Sequence, residues 1–553
     1  MASTLFPLTL PPGVVRRGTA YASKGRWYNS SLVRFEGNVV RPIGGWSLAR
    51  TAAGGDIQAT GFPRGSHTWR KNDSTTWVAV GTTGTPSKLY AYTSSTAAIT
   101  DITPAGLTNG AADGSLVTGT GRWDLDPWDV SPWGGSVAAG TITDAATWSL
   151  DSFGEVLVAC LTADGKLYSS TPTTQAAVIS GAPTGCRAVC VTPERFLLAL
   201  GAGSDPRLVQ WPSRETLTTW TPAAGNTAGS LSIASGGRLM VGHAGTRETL
   251  LWSDMDLWAL RFVGGNLVYG LVQVGDHCGL IGPNAAVVIG GTAYWMGNGQ
   301  FFFYDGGTVR QLPCDVREYV FGDLARPQKA KICAVTNAAF GEVTWYYPSA
   351  GQGGTENDRY VTFNFREGWW LVGQLARAAG NDADVFNSPL LWSTDGHLFS
   401  HETGQDRGGA SAFIESGPLE IGDGDRRVLV EVLIPDALDP ATPAGAFAGG
   451  DEDADGDVFG TAVVGGNLTA TFYTAEYPDT AERASQDYTL TTRTDVRVSG
   501  RQVRVKIAQP AQSGALYDGT YTHTGTITYG GTGPGADFRI GTFRLGVIPE
   551  ARR

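Results

Sequence analysis

The sequence predicts an all-β chain built around a β-propeller, and three observations predict it. Asp-Gly pairs recur, as Asp164-Gly165 in ADGKLYS, Asp305-Gly306 in FFFYDGGTVRQL and Asp395-Gly396 in TDGHLFS. Asp-Gly is a strong hairpin signal, because both central residues of a type I′ turn need positive φ and Gly takes it without steric cost. The residues that follow the turns, Leu167, Leu208, Leu250, Phe302, Val361 and Leu398, with Leu89 before them, lie roughly 40 to 60 positions apart, as in four-stranded blade repeats. Finally, 76 Gly and 17 Trp against 17% charged residues describe turn-dense, aromatic-packed strands rather than helices or disorder. About 6–8 irregular blades follow, with a meandering β-sandwich as the competing arrangement of the same strands.

Taken in order, residues 1–56 lack the blade rhythm. In RWYNSSLVRFEGNVVRPIGGW, apolar and polar residues alternate on either side of Glu36-Gly37-Asn38, the pattern of a hairpin that must pack on something larger. This N-terminal β arm either closes the toroid by lending a strand to the last blade or lies against the C-terminal domain. Residues 57–405 form the propeller, with blades expected at 67–104, 146–178, 185–222, 230–274, 278–313, 330–376 and 377–405. The one helical stretch, Asp315 to Lys331, is interrupted by Gly322 and Pro327 and is expected to give one or two short turns. Tryptophans inside the blade strands are read as wedges between neighbouring blades. After a linker, residues 413–553 form a second, sandwich-like β domain, in which Arg497, Arg501 and Arg504 flank a Gly turn.

One segment breaks the rhythm. Between residues 105 and 146 lies GRWDLDPWDVSPWGG, with Trp123, Asp124, Trp128 and Trp133. Loops of this length are usually functional, and three tryptophans are costly to leave in water, so these residues are read as a partner or subunit interface. The bland alternative is that they cover the end of their own toroid.

The chain has no GxSxG, no HExxH and no phosphate-binding glycine loop, so the expectation is a protein that is not an enzyme and carries no cofactor. His397, His401 and Glu402 look suggestive in HLFSHE, but residues four apart on a strand are about 13 Å apart, too far for two histidines to share a metal. Asp451, Asp453, Asp455 and Gly456 match the first half of a calcium loop, although the twelfth position is Ala462 and not glutamate. A solvated acidic loop is the favoured reading there. Six dispersed cysteines, with Cys186 and Cys190 the only close pair, read as buried thiols.

A net charge of −11 argues against a protein that coats nucleic acid, whereas a wall that DNA slides past would carry this sign. The first fifty residues are the exception: Arg16, Arg17, Lys24, Arg26, Arg34, Arg41 and Arg50 stand against Glu36 alone. They are read as solvated strand ends or subunit contacts, with a basic arm touching phosphate or an acidic partner as the sharper alternative. No signal peptide and no apolar run of membrane-spanning length is seen, so synthesis in a cytoplasm without membrane insertion is expected.

The run from Gly236 to Gly404 resembles the tail nozzle proteins, also described as tail-hub or packaged-DNA-stabilisation proteins, of short-tailed bacteriophages. The pieces that carry the likeness are TLLWSDMDLWAL, CGLIGPNAAVVIGGTAYWMGNGQFFFYDGGTVRQLPCDVREYVF, EVTWYYPS, RYVTFNFREGWW and HLFSHETG, with weaker echoes in SLVRFEGNVVRPIGGW, GDGDRR, IPD and VSGRQV. The Trp-rich insertion and the acidic 451–457 loop have no counterpart in that pattern. The resemblance implies a virion protein: a homohexameric ring below the portal and adaptor, enclosing the channel through which genomic DNA leaves without sequence-specific contacts, retaining the genome, and anchoring tail fibres or a tip protein. The rival from another class is a glycan-binding or glycan-degrading propeller, which predicts convergent carboxylates and exposed aromatic rings in one central pocket.

Overall fold

The computed structural model describes residues 4–116, 142–265, 267–351, 353–419, 427–438, 468–477, 480–491, 493–509, 520–523, 525–528 and 539–549. Among them, seven four-stranded antiparallel sheets follow one another as blades 1 to 7. Their innermost strands are Phe62–Arg70, Trp148–Phe153, Ala188–Val191, Leu239–Ala244, Ala286–Ile289, Cys333–Asn337 and Ala379–Asn381. These pack side by side in cyclic order, the last against the first, so the sheets close into a β-propeller. In blades 2 and 3 the second strands are buried on both faces and read as unbroken apolar runs, Val156–Leu161 (VLVACL) and Leu197–Leu200 (LLAL).

The tryptophans are the wedges between blades. Trp148 of blade 2 is buried and donates its indole N–H to Thr82 O of blade 1 at 2.9 Å; a Cβ on Gly81 would run into its ring. Trp345 of blade 6 donates to Ala285 O at the edge of blade 5 at 3.0 Å, and Trp252 of blade 4 meets Trp295 of blade 5 edge-on at 5.8 Å. Each indole thus fills a gap between sheets, and several also satisfy a backbone carbonyl there. All six cysteines are buried free thiols, and burial pushes Cys186 and Cys278 up to about 12.

The Asp-Gly hairpins form by a different mechanism from the type I′ turn. At 164–165, 305–306 and 395–396 only the glycine has positive φ (+67°, +92° and +89°). The connecting loops are longer than two residues, and the aspartate works as a local acceptor instead. Asp164 takes the Tyr168 hydroxyl, Asp305 the Gly307 N–H at 3.2 Å, and Asp395 the Ser393 hydroxyl. Between blades 5 and 6 the chain forms the helix Arg317–Asp323 and the 3-10 turn Arg326–Lys331, with Pro327 in the first turn where its missing N–H costs nothing.

The N-terminal arm does both things open to it. Trp46–Leu48 becomes the outer strand of blade 7, pairing with Leu398–His401 and closing the ring. Before that, Thr4–Leu8 pairs with Phe543–Pro549, Trp27–Ser31 pairs with Phe413–Ser416, and the hairpin of Val33–Glu36 and Val39–Pro42 joins Arg539–Ile540. The arm therefore supplies strands to three sheets of the second β unit as well as to the propeller. In that unit Gly500 is a corner and not a hairpin turn. Thr494–Gly500 pairs with Val428–Ile434, whereas Gln502–Ala508 pairs with Phe413–Ser416 and Thr469–Ala475 in the other sheet. One continuous apolar core runs from the arm (Trp27, Val33, Phe35) through blades 4–6 (Trp252, Trp295, Trp345) into the second unit (Ile414, Phe472, Phe543).

Candidate functional site

Two arrangements stand out, a cup in the propeller axis and a seam where the arm meets the last blades. The cup is a cavity of about 430 Å³ lined by residues of all seven inner strands. Side chains stitch neighbouring strands around it. Ser66 Oγ donates to Asn381 Oδ1 at 2.6 Å between blades 1 and 7, and Asp151 Oδ2 accepts Val191 N–H at 2.7 Å between blades 2 and 3. Asp382 Oδ2 accepts Ala338 N–H at 2.9 Å between blades 7 and 6.

The two mouths differ. At the end where the inner strands begin, Asn284 of blade 5 reaches across the axis to blade 1 and donates to Arg64 O at 2.8 Å. The stem of the 105–146 insertion is fastened at the same end. Its Ser115–Leu116 pairs with Ile142–Thr143. Gln328 makes a two-way amide bond with Gly114 (3.0 and 2.8 Å), and Arg64 donates to Ala112 O at 3.2 Å. Arg238 pairs with Asp144 at 2.7 Å, and the fully buried Lys331 holds Asp113 at 2.6 Å and Glu356 at 2.8 Å. Trp123, Asp124, Trp128, Trp133 and the acidic 451–457 loop all lie outside the described residues.

The opposite mouth, where the inner strands end, gathers His67, Asp151, His243, Asp382 and Asp384. His67 Nε2 is 3.8 Å from Asp151 Oδ1 and its ring stacks on Trp69; His243 sits edge-on to Trp252. Burial lowers both histidines, so near neutral pH both are uncharged imidazoles, and neither Nε2 has a hydrogen-bond partner. No motif search finds this group, because its members come from four blades and are far apart in sequence. Aligning the blades on their inner strands is the operation that brings them together.

At the seam, Arg34 of the arm is buried between two carboxylates. It contacts Glu342 of blade 6 at 3.2 and 3.0 Å and Glu402 of blade 7 at 2.5 and 3.2 Å, with the Phe340 ring 3.6 Å beneath its guanidinium. Glu402, in a left-handed conformation at φ +58°, also accepts from Gly44 N–H at 2.9 Å and Asn337 Nδ2 at 3.1 Å. Two carboxylates share one guanidinium, and burial pushes Glu342 up to about 7. Nearby, Arg377 donates to His401 Nε2 at 2.9 Å, and Trp46 stacks on the His401 ring. His401, Glu402 and His397 therefore face three different partners, the last being Asp395 at 3.1 Å. The other arm cations are engaged within the chain too: Arg17 pairs with Asp315 at 2.6 Å, Arg41 with Glu36 at 2.8 Å, and Arg16 lies 3.7 Å over the Tyr319 ring.

No helix among the described residues is long and apolar enough to cross a membrane. No family model and no curated protein matches the chain. Among solved structures it is similar to a streptogramin B lyase, with TM-score 0.36 and 10% identity over 64% of this chain and 97% of that one. It is likewise similar to the virginiamycin B lyase of Staphylococcus aureus (TM-score 0.35, 8% identity, 62% and 94% covered) and to the Neurospora crassa Pan2 WD40 domain (TM-score 0.35, 7% identity, 62% and 89% covered). At such identities the likeness concerns fold alone, and the chain is a β-propeller by its own strand order.

Proposed function

We propose that the chain is a structural virion protein, the tail nozzle of a short-tailed phage. In this reading six copies form a ring below the portal and adaptor, retain packaged DNA and carry fibres or a tip protein. What supports the reading most is where the resembling phrases meet in space. Arg34 of SLVRFEG, Glu342 of EVTWYYPS and Glu402 of HLFSHETG form one buried cluster. Tyr360 of RYVTFNF accepts the Leu32 N–H at 2.7 Å, and Trp370 of REGWW donates to Pro313 O of RQLPCD at 2.8 Å. The resembling phrases thus include residues that bind the arm to the propeller, as a load-transmitting subunit requires.

On this reading DNA passes between copies, since a 430 Å³ cup bridged at one end offers no path for a duplex. A closed ring with head-to-tail contacts supplies the lumen, and the net charge of −11 keeps phosphates from adhering to it. The glycan alternative asks for carboxylates beside exposed rings. Asp151, Asp382 and Asp384 converge, but Trp148, the aromatic side chain on the cup wall, is only 1% exposed. The test is electron microscopy and light scattering of the full chain, alone and with its adaptor. Six-fold rings of the 58.2 kDa chain are expected. A persistent monomer that binds or cleaves glycans overturns the proposal.

A further inference from the structure

The cup at the propeller axis has no role in the reading above, and its chemistry is specific. The residues lining it include three aspartates, two histidines and no lysine or arginine. Asp384 has no side-chain partner among the described residues, and its charge reaches His67. His67 Nε2 and His243 Nε2 are buried without a partner, an arrangement that leaves hydrogen-bonding capacity unspent inside a cavity. Burial keeps both imidazoles neutral, so they add no positive charge to the mouth.

We propose that this mouth binds a small organic cation bearing primary ammonium groups. The carboxylates of Asp151 and Asp384 supply the attraction, and an unprotonated imidazole nitrogen accepts an N–H from the guest. Three features favour this class. A cavity of about 430 Å³ is of small-molecule size, where a bare metal ion would need a few atoms of space. No three His, Cys, Asp or Glu side chains among the described residues converge closely enough to ligate a metal. A sugar would want an open aromatic face, and the buried Trp148 has its ring covered by Gly81 of blade 1. With one mouth bridged by Asn284 and the insertion stem fastened over it, the guest enters from the acidic mouth.

The experiment is calorimetric titration of the full chain at low salt with 1,4-diaminobutane and, separately, with its uncharged isostere 1,4-butanediol. The diamine is expected to bind one per chain, the diol not at all. Asp384→Asn, which removes a charge but no internal hydrogen bond, is expected to weaken diamine binding about tenfold, and His243→Ala to weaken it further. A control at the exposed Asp305 (Asp305→Asn) is expected to leave it unchanged. No diamine binding, equal binding of the diol, or equal affinity in the Asp384→Asn protein overturns the proposal. None of these outcomes depends on whether the chain assembles into a ring.

Discussion

Blades 1–3 and blades 4–7 share one architecture but are held together differently. The first three have small separate apolar wedges: Trp148, Leu157 and Tyr168 between blades 1 and 2, Val158, Leu197 and Trp220 between 2 and 3, and Leu198, Trp211 and Tyr269 between 3 and 4. From blade 4 to the near face of blade 7 the wedge core is continuous with the arm and the second β unit, with buried charge set into it at Arg34, Glu342, Lys331 and Arg377, and only the closing wedge between blades 7 and 1 (Val78, Leu390, Trp392) is again small and separate. An apolar wedge accepts many side chains of similar volume, whereas a buried guanidinium between two carboxylates accepts almost no substitute.

Deleting residues 1–50 tests the comparison most severely. It strips strands from three sheets of the second unit and the closing strand from blade 7, leaving open edges on a hydrophobic core. The expected product is insoluble. A soluble truncated chain that unfolds cooperatively in circular dichroism would mean that the two halves are held alike after all.

Point substitutions separate them more finely. Arg34→Met leaves Glu342 and Glu402 buried without their cation and is expected to cost about 3–5 kcal/mol. Leu198→Ala, which opens a cavity in the wedge between blades 3 and 4, is expected to cost about 2–5 kcal/mol. The costs overlap, but their reach does not. Hydrogen exchange should rise in 33–48, 342–347 and 398–402 for the first and stay within 188–260 for the second. Spread of the Leu198→Ala effect to the arm would erase the distinction.

The smallest effect is a pH dependence confined to the seam. Burial, against the opposing pull of the Arg34 guanidinium and with a smaller push from Glu402, raises Glu342 from 4.5 to about 7, so the folded chain holds a proton there that the unfolded chain releases. Tyr346, Tyr360, Arg377 and His401 are the other titratable groups facing this pocket. The contribution is complete below about pH 4.5 and is lost as pH rises through 7, a direction opposite to that of a salt-bridged carboxylate with a depressed pKa. Urea midpoints of Glu342→Gln should lack the decline across this window that the parent shows. An identical slope in both proteins would place the proton elsewhere.

Much of the propeller was legible in the sequence because its signals are local. Runs such as VLVACL and LLAL, the Asp-Gly loops and the spaced tryptophans each report on one hairpin. The destination of the arm was not legible: Thr4 and Val547 are partners, and no periodicity in either segment names the other. Gly500 looked like a hairpin turn because strands flank it, yet the strands belong to different sheets, a choice made by tertiary packing. The seam and the cup were hidden for the same reason. Arg34 sits in an arm whose basic residues looked like a surface feature, and His67, Asp151 and His243 are single polar residues in otherwise ordinary inner strands.

The pairing of the earliest residues with the latest has a consequence for biosynthesis. At about 5–20 residues per second, the ribosome takes roughly half a minute to two minutes to deliver the strand that Thr4–Leu8 needs. Through that interval blades 1–3 can close on themselves, while the strand Thr4–Leu8 waits without its pairing partner. In a nascent chain of this design the second β unit can be completed only after residues 543–549 have emerged.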